Sequence, residues 1–544
     1  MYKKKALTLA VTTLTSLNAP NLNAKTQHDR VDVLEARVHE LESKLEKALN
    51  ALEAATAKQT TAAAAAAPAP DIRKIDQKVK LIERKLEVDK EVSDGKWAKL
   101  PKVEVGGQGL KVESQDGDFN LSVRGTIQQD SDFFIYDNNG NPANTNGDDL
   151  NNNFYMRRVR PTFTGTVWKY VDWRIMPDFA MGNTRLFDAY TDLRYFRSAS
   201  LAAGKFKAPV SLERLQSASA LTFTERGFPT QLAPNRDIGF MLHGEFDRPG
   251  GPETTRSSNL YLFPEFFAYQ VGVFDGTVNN GNIDSANNDS KQVEARIFAH
   301  PFQGSGYDAV EGLGVGIAGS WGNPNDASTP TYATPGQQTM FRYVSAARID
   351  GTQYRVYPQM YWNWGPFGLI GEYAVSQQGV ANQTTTSGQI GPRTKNASQI
   401  IENDYAWNVT ASYVLTGEDN VFQGQGIRPR HAFNPFEGNW GAFQVAARWT
   451  DISFSDNVFQ NVAKAGSKTP VYAYADPRQA VQNATNWSLG VNWWLNQNVK
   501  LMADYSQTSF QGGGGVYDSA GKLTDEVVDR ETEKAFITRV QVAF

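Results

Sequence analysis

Two stretches of this 544-residue chain carry arginines at spacings suited to holding an oxyanion. In YMRRVRPTF (155–163), Arg158 and Arg160 fall on the same face of an extended strand as Thr162 and Thr164, with Arg157 at the strand's rim. In GKFKAPVSLERLQSASALTFTERGFPTQLAPNRDIG (204–239), Lys205, Lys207, Arg214, Arg226 and Arg236 are spread among apolar residues. Arg124 and Arg296 extend the same track. A guanidinium group is planar, permanently charged and able to bond two oxygens at once, so a ladder of them in a narrow polar pore would focus anions and suit phosphate. Glu213, Glu225 and Asp188 lie close in sequence. Any wet pore wall also carries Arg and Lys paired with acids, so each arginine reads either as an anion ligand or as a neutralised wall residue.

A ladder of this kind needs rigid elements to carry it, and the chain offers strands. It ends in EKAFITRVQVAF, with Val540 and Val542 alternating before Phe544, the pattern of a closing strand in an outer-membrane barrel. About 16 candidate strands run from 119–136 to 532–544, among them 154–168, 187–196, 200–206, 260–274, 342–363 and 485–495. In FNLSVRGTIQ, Phe119, Leu121, Val123 and Ile127 share one face, and Asn120, Ser122, Arg124, Thr126 and Gln128 the other. WSLGVNWWL places Trp487, Leu489, Val491, Trp493 and Leu495 on lipid and Ser488, Asn492 and Trp494 inside. These features predict an all-β transmembrane barrel of about 16 antiparallel strands, wide enough for water.

Connections alternate between short (169–170, 365–366, 496–497) and long (137–153, 207–235, 322–341, 380–403, 456–484, 511–531), as periplasmic turns and external loops would. Two links, 247–259 and 416–441, break that rule. The 207–235 segment carries Leu212, Leu215, Ala218, Leu221 and Phe223 and is too apolar to hang in water, so it is expected to fold inward and narrow the pore, leaving its cations on the aqueous side.

Residues 1–24 read as a secretory signal, with Lys3, Lys4 and Lys5 before an apolar run. Val31, Leu34, Val38, Leu41, Leu45, Ala48 and Leu52 then form a heptad seam, and a second, shorter one follows the Ala/Pro tract at 61–70. Residues 25–100 are therefore expected to be a periplasmic α-helical coiled coil preceding the barrel at 101–544. It would either join three copies or reach peptidoglycan. Aromatics at 12% and a net charge of only -4 fit a barrel whose partners include outer-membrane lipid, and make the position of charge, not its sum, decisive. The absence of cysteine suits an exported envelope protein. Five scattered histidines and no HExxH, P-loop or Gly-x-Ser-x-Gly motif argue against an enzyme, and no cofactor, metal or nucleic-acid role is expected.

Through GKFKAPVSLERLQS with TERGFPT and NRDIG, YMRRVRPTFTG with FDAYTDLRYF, YVLTGE, GNWGAFQVAARW and LGVNWWLNQNVKLMADYS, the chain resembles the phosphate-selective porin O and P family across 119–544. That resemblance implies a homotrimer of 16-stranded barrels, an infolded third external loop, and inorganic phosphate or other small anions as solutes. It further implies anion-guiding roles for Arg157, Arg158, Arg124, Arg214 and Arg226, with Asp188 beside the constriction. One departure stands in the loop motif, where Arg214 replaces the lysine of phosphate-specific relatives.

Overall fold

The computed structural model describes residues 77, 80–85, 87, 100–135, 150–251, 260, 266–284, 289–325, 327–382, 398–422, 426–462, 470–518 and 522–544. The chain divides into two compact units, Met1–Gly95 and Lys96–Phe544. In the first, residues 77, 80–85 and 87 are helical and exposed. The signal expected at 1–24, the heptad seam at 31–52 and the Ala/Pro tract lie outside the described residues.

Sixteen strands wall the second unit: β1 (Asn120–Phe134), β2 (Asn153–Val167), β3 (Val171–Asp178), β4 (Arg185–Phe196), β5 (Ala199–Lys207), β6 (Arg236–Phe246), β7 (Phe267–Phe274), β8 (Gln292–Ala299), β9 (Leu313–Gly322), β10 (Gln353–Trp364), β11 (Phe367–Asn382), β12 (Ser398–Val414), β13 (Ala442–Ser453), β14 (Val481–Trp494), β15 (Val499–Tyr517) and β16 (Glu533–Ala543). Each pairs antiparallel with the next. β16 returns to β1 with Ala543 opposite Thr126, which closes the barrel and removes its free edges. Ahead of it, a hairpin of Lys102–Gly106 and Gly109–Glu113 extends the lower part of β1.

The period-2 alternation sorts the two faces as the sequence predicts. On β1, Leu121 and Ile127 are exposed outward while Ser122, Gln128 and Asp130 are buried inside; on β14, Leu489 and Val491 face out, and Ser488, Asn492 and Trp494 face in. Aromatic rings gather at the end carrying the short turns, where Tyr170 stacks on Tyr195 at 5.0 Å and Phe443 on Trp493 at 5.4 Å. Such a girdle marks a membrane interface. Two devices secure the closing seam. The backbones of Gly125 and Phe544 exchange hydrogen bonds of 2.7 and 2.9 Å, and Gly125 leaves room for the Phe544 ring, which would lie 2.6 Å from a Cβ there. Deeper in, Arg539 grips Asp130 with two 2.6 Å hydrogen bonds, both side chains fully buried.

Two connections depart from simple alternation. The candidate strand at 342–363 begins too early: Thr339–Arg342 pairs instead with Thr331–Ala333, and Ala347–Ile349 with the end of β11. Tyr332 and Phe341 are buried there against Phe454, with ring centroids 4.9 and 4.2 Å away, and this apolar contact outweighs strand propensity. The long link 415–441 turns into the barrel mouth, where Phe422 stacks on Tyr361 at 4.6 Å and Ile427 is buried with Trp494. That burial accounts for its length.

The 208–235 segment fills much of the lumen, as its apolar residues predict. It holds two one-turn helices, α1 (Leu212–Leu215) and α2 (Pro229–Leu232), and buries Leu212, Leu215, Leu221, Phe223, Phe228 and Leu232. A backbone with little regular structure needs partners for its polar groups, and the wall supplies them around its circumference. Glu372 of β11 accepts from the Leu212 N–H (2.8 Å) and the Ser211 hydroxyl (3.1 Å). The Gln359 amide donates to the Val210 carbonyl (2.9 Å), Lys500 to Leu221 (2.8 Å), Asn492 to Thr222 (2.8 Å) and Gln541 to Ser219 (2.9 Å). On β14, Gly490 leaves room for Phe223, whose ring would lie 2.9 Å from a Cβ there.

Two substitutions test this account. Arg539→Ala strands the Asp130 carboxylate at the seam and should lower barrel stability by about 3 kcal/mol, read as a lower urea midpoint for the folded-to-unfolded gel shift; an unchanged midpoint would show the pair is not what secures closure. Glu372→Ala unlatches α1 and is expected to raise open-channel current noise in planar bilayers while the barrel stays folded.

Candidate functional site

β2 departs from strict alternation at one position, and that position matters most. Gln128 and Gln129 of β1 lie opposite Arg158 and Met156, which leaves Arg157 as the extra residue of a β-bulge. Because a bulge inserts one residue without reversing the strand, two consecutive arginines reach the lumen. Arg157 is therefore not at the strand's rim, where alternation alone would place it. Its guanidinium bonds both carboxylate oxygens of Glu225, at 2.6 and 3.0 Å, while Arg158 donates to Gln128 at 2.7 Å and lies 3.7 Å from Glu225.

A second bulge falls between β3 and β4. Met176 and Pro177 pair with Asp188 and Leu186, leaving Phe187 as the extra residue. Phe187 lines the lumen, and the guanidinium carbons of Arg160 and Arg236 each lie 4.3 Å from its ring centroid. Both arginines are held from their other side: Arg160 by Asp178 at 2.6 Å and Arg236 by Asp188 at 3.1 Å. Asp188 also receives Arg174 at 3.1 Å.

The infolded loop contributes less free charge than its composition suggests. Arg214 bonds the Thr230 carbonyl and the Asn280 side chain, and Arg226 bonds the carbonyls of Glu213 (2.8 Å) and Gln216 (3.0 Å). Lys207 reaches the carbonyls of Leu215 and Gln216 at 3.1 Å each, and Lys205 is buried against Asp284. The expectation that these cations stand in water is thus corrected. The loop turns its own carbonyls toward Arg214, Arg226 and Lys207 of β5, which bond them.

Arg124, Arg157, Arg158, Arg160, Asp188, Arg214, Arg226 and Arg236 nevertheless line one cavity of about 1690 Å³. It runs from Thr334 and Gln337 near the long loops to Arg428, Arg430 and Phe544 at the end bearing the chain terminus. Its lining holds fourteen arginines and lysines against six carboxylates, an excess of eight positive charges in a chain whose formal net charge is -4. Arg124 is exposed to this cavity and makes no ion pair among the described residues. Arg296 is the exception among the arginines singled out by sequence. It lies outside the cavity, buried in the β8 wall, bonded to Gln359 (3.1 Å) and Gln270 (3.2 Å), and Gln359 in turn bonds the loop. Glu294, Arg355, Glu402 and Asp404 are also buried in that part of the wall and do not line the cavity, with Glu402 bonded by Gln378 and the Tyr343 hydroxyl and Asp404 accepting from the Ser455 N–H.

Sequence reasoning did not single out Phe187, Arg174 and Arg194, whose positions depend on bulges and on cross-strand pairing. It also passed over Arg539, which completes the cluster on Glu225 at 3.4 Å. Its alternation with the outward Phe536 and Val540 was the available signal.

Known proteins are similar to this chain in sequence or in fold. Porin O of Pseudomonas aeruginosa strain PAO1 is 23% identical over 469 residues, covering 80% of this chain and 91% of that protein. Among solved structures, OmpT of Vibrio cholerae in its trimer form aligns with 78% of this chain and 99% of its own at 10% identity and a TM-score of 0.43. The outer membrane channel DcaP of Acinetobacter baumannii aligns with 79% and 99% at 12% identity and the same TM-score. The profile described as Phosphate-selective porin O and P matches residues 127–514, most of the barrel including both bulges and the infolded loop, and the chain belongs to that family of outer-membrane porins.

Proposed function

We propose that this protein is a passive, anion-preferring channel of the Gram-negative outer membrane, with phosphate or polyphosphate as its leading solute. The observation that supports this reading is the excess of eight positive charges lining one cavity that runs from the long loops to the end bearing Phe544. Low-dielectric walls around such a lumen concentrate counter-ions. Forked guanidinium groups then favour oxyanions over spherical chloride by bonding two oxygens at once. Most of these groups already share their charge with a carboxylate or carbonyl, which weakens each contact. Weak, repeated contacts suit conduction, since an anion must be drawn in and also released. In this reading the end with the short turns faces the periplasm and three copies assemble.

Purified protein in planar bilayers under a KCl gradient should give a chloride-favouring reversal potential, and added phosphate should block the chloride current. Arg158→Ala and Arg226→Ala should weaken that block. A cation-favouring or unselective pore indifferent to phosphate would refute the solute assignment and leave the fold intact. A paired comparison separates lumen from wall: Arg124→Ala should reduce the chloride preference, whereas Arg296→Ala, behind the loop, should leave the reversal potential unchanged.

A further inference from the structure

Glu225 occupies the place an incoming oxyanion would take. It lies on the infolded loop and lines the cavity, yet its carboxylate receives Arg157 at 2.6 and 3.0 Å, Arg539 at 3.4 Å and Arg158 at 3.7 Å. Three guanidinium groups from β2 and β16 converging on two oxygens are the coordination a free phosphate or carboxylate would receive. Burial opposes the charged form of Glu225, but Arg157 and Arg158 outweigh it and hold the carboxyl well below its usual range.

The loop, Arg158 and Arg539 have other partners that hold them in place, while Arg157 is held by this carboxylate. Asp504 accepts from the Thr224 N–H at 2.7 Å, Arg448 donates to the Glu225 carbonyl at 2.6 Å, and Glu213 accepts from the Gly227 N–H at 2.8 Å. Arg158 keeps Gln128, and Arg539 keeps its two bonds to Asp130.

We propose that Glu225 is a tethered competitor: its carboxylate is the resident ligand of an oxyanion site formed by Arg157, Arg158 and Arg539, and a permeating oxyanion binds there by displacing it. The inference rests on the anion-channel reading. Three converging arginines without an internal ligand would retain a phosphate too long for conduction. A carboxylate attached to the same frame competes at an effective concentration in the millimolar range or above, which lowers apparent affinity and speeds release.

The test is phosphate block of chloride current in planar bilayers for the full-length protein and for Glu225→Gln, which keeps shape and removes charge. The half-blocking phosphate concentration should fall about tenfold, with the channel still anion-selective. Added formate should then raise the half-blocking concentration of Glu225→Ala back toward that of the unsubstituted protein, because a free carboxylate replaces the tethered one. An unchanged block in Glu225→Gln, or no response of Glu225→Ala to formate, would overturn the proposal. So would higher conductance with lost selectivity and a lowered thermal transition, which would make Glu225 a loop anchor. The unsubstituted protein measured in the same bilayers tells the two failures apart: a cation-favouring reversal potential refutes the anion channel itself, whereas an anion-favouring one with unaltered block refutes only the competitor.

Discussion

The architecture depends on one requirement: an irregular loop of nearly thirty residues crosses the inside of a barrel, and its peptide groups must find hydrogen-bond partners there. The inward faces of β10, β11, β14, β15 and β16 meet that requirement with Gln359, Glu372, Asn492, Lys500 and Gln541. These polar side chains are unsuited to a dry core and necessary against a buried loop. Once the loop is fixed, it divides the lumen into a sealed half, rich in carboxylates, and an open half, rich in arginine.

That division explains how a chain of slightly negative net charge presents a strongly positive channel. Glu294, Glu372, Glu402 and Asp404 are buried and do not line the cavity, while most cations of β1 to β6 do. The selectivity of the lumen is thus a matter of partition.

Within the open half, two bulges set the chemistry. A regular strand can send only every second residue inward, and both the Arg157–Arg158 pair and the Phe187–Asp188 pair violate that limit. Each bulge places a side chain beside its neighbour instead of behind it, so guanidinium groups converge on shared partners. The result is a row of arginines already engaged by Glu225, Asp178 and Asp188, with exposed Arg124 as a contrast.

The barrel was legible in the sequence because the physics that forms it is local. Alternation along WSLGVNWWL or FNLSVRGTIQ assigns faces from neighbouring residues alone, short and long links report the two ends, and an apolar run between β5 and β6 cannot remain in water. The strand near 342–363 was misjudged where a distant contact, Tyr332 and Phe341 on Phe454, overrode local propensity. For the site, residue type and rough location could be read, since RR and ERG announce arginine wherever they fold. Which arginines meet which acids could not. Arg157 needed a register shift between two strands, Arg539 joined Glu225 across 314 positions of sequence, and Arg296 was placed behind the loop by the loop's own path. Face and hydrophobicity are properties of a strand and were fixed by the sequence locally; convergence and access depend on how distant strands and one infolded loop share a lumen, and only the tertiary structure decides them.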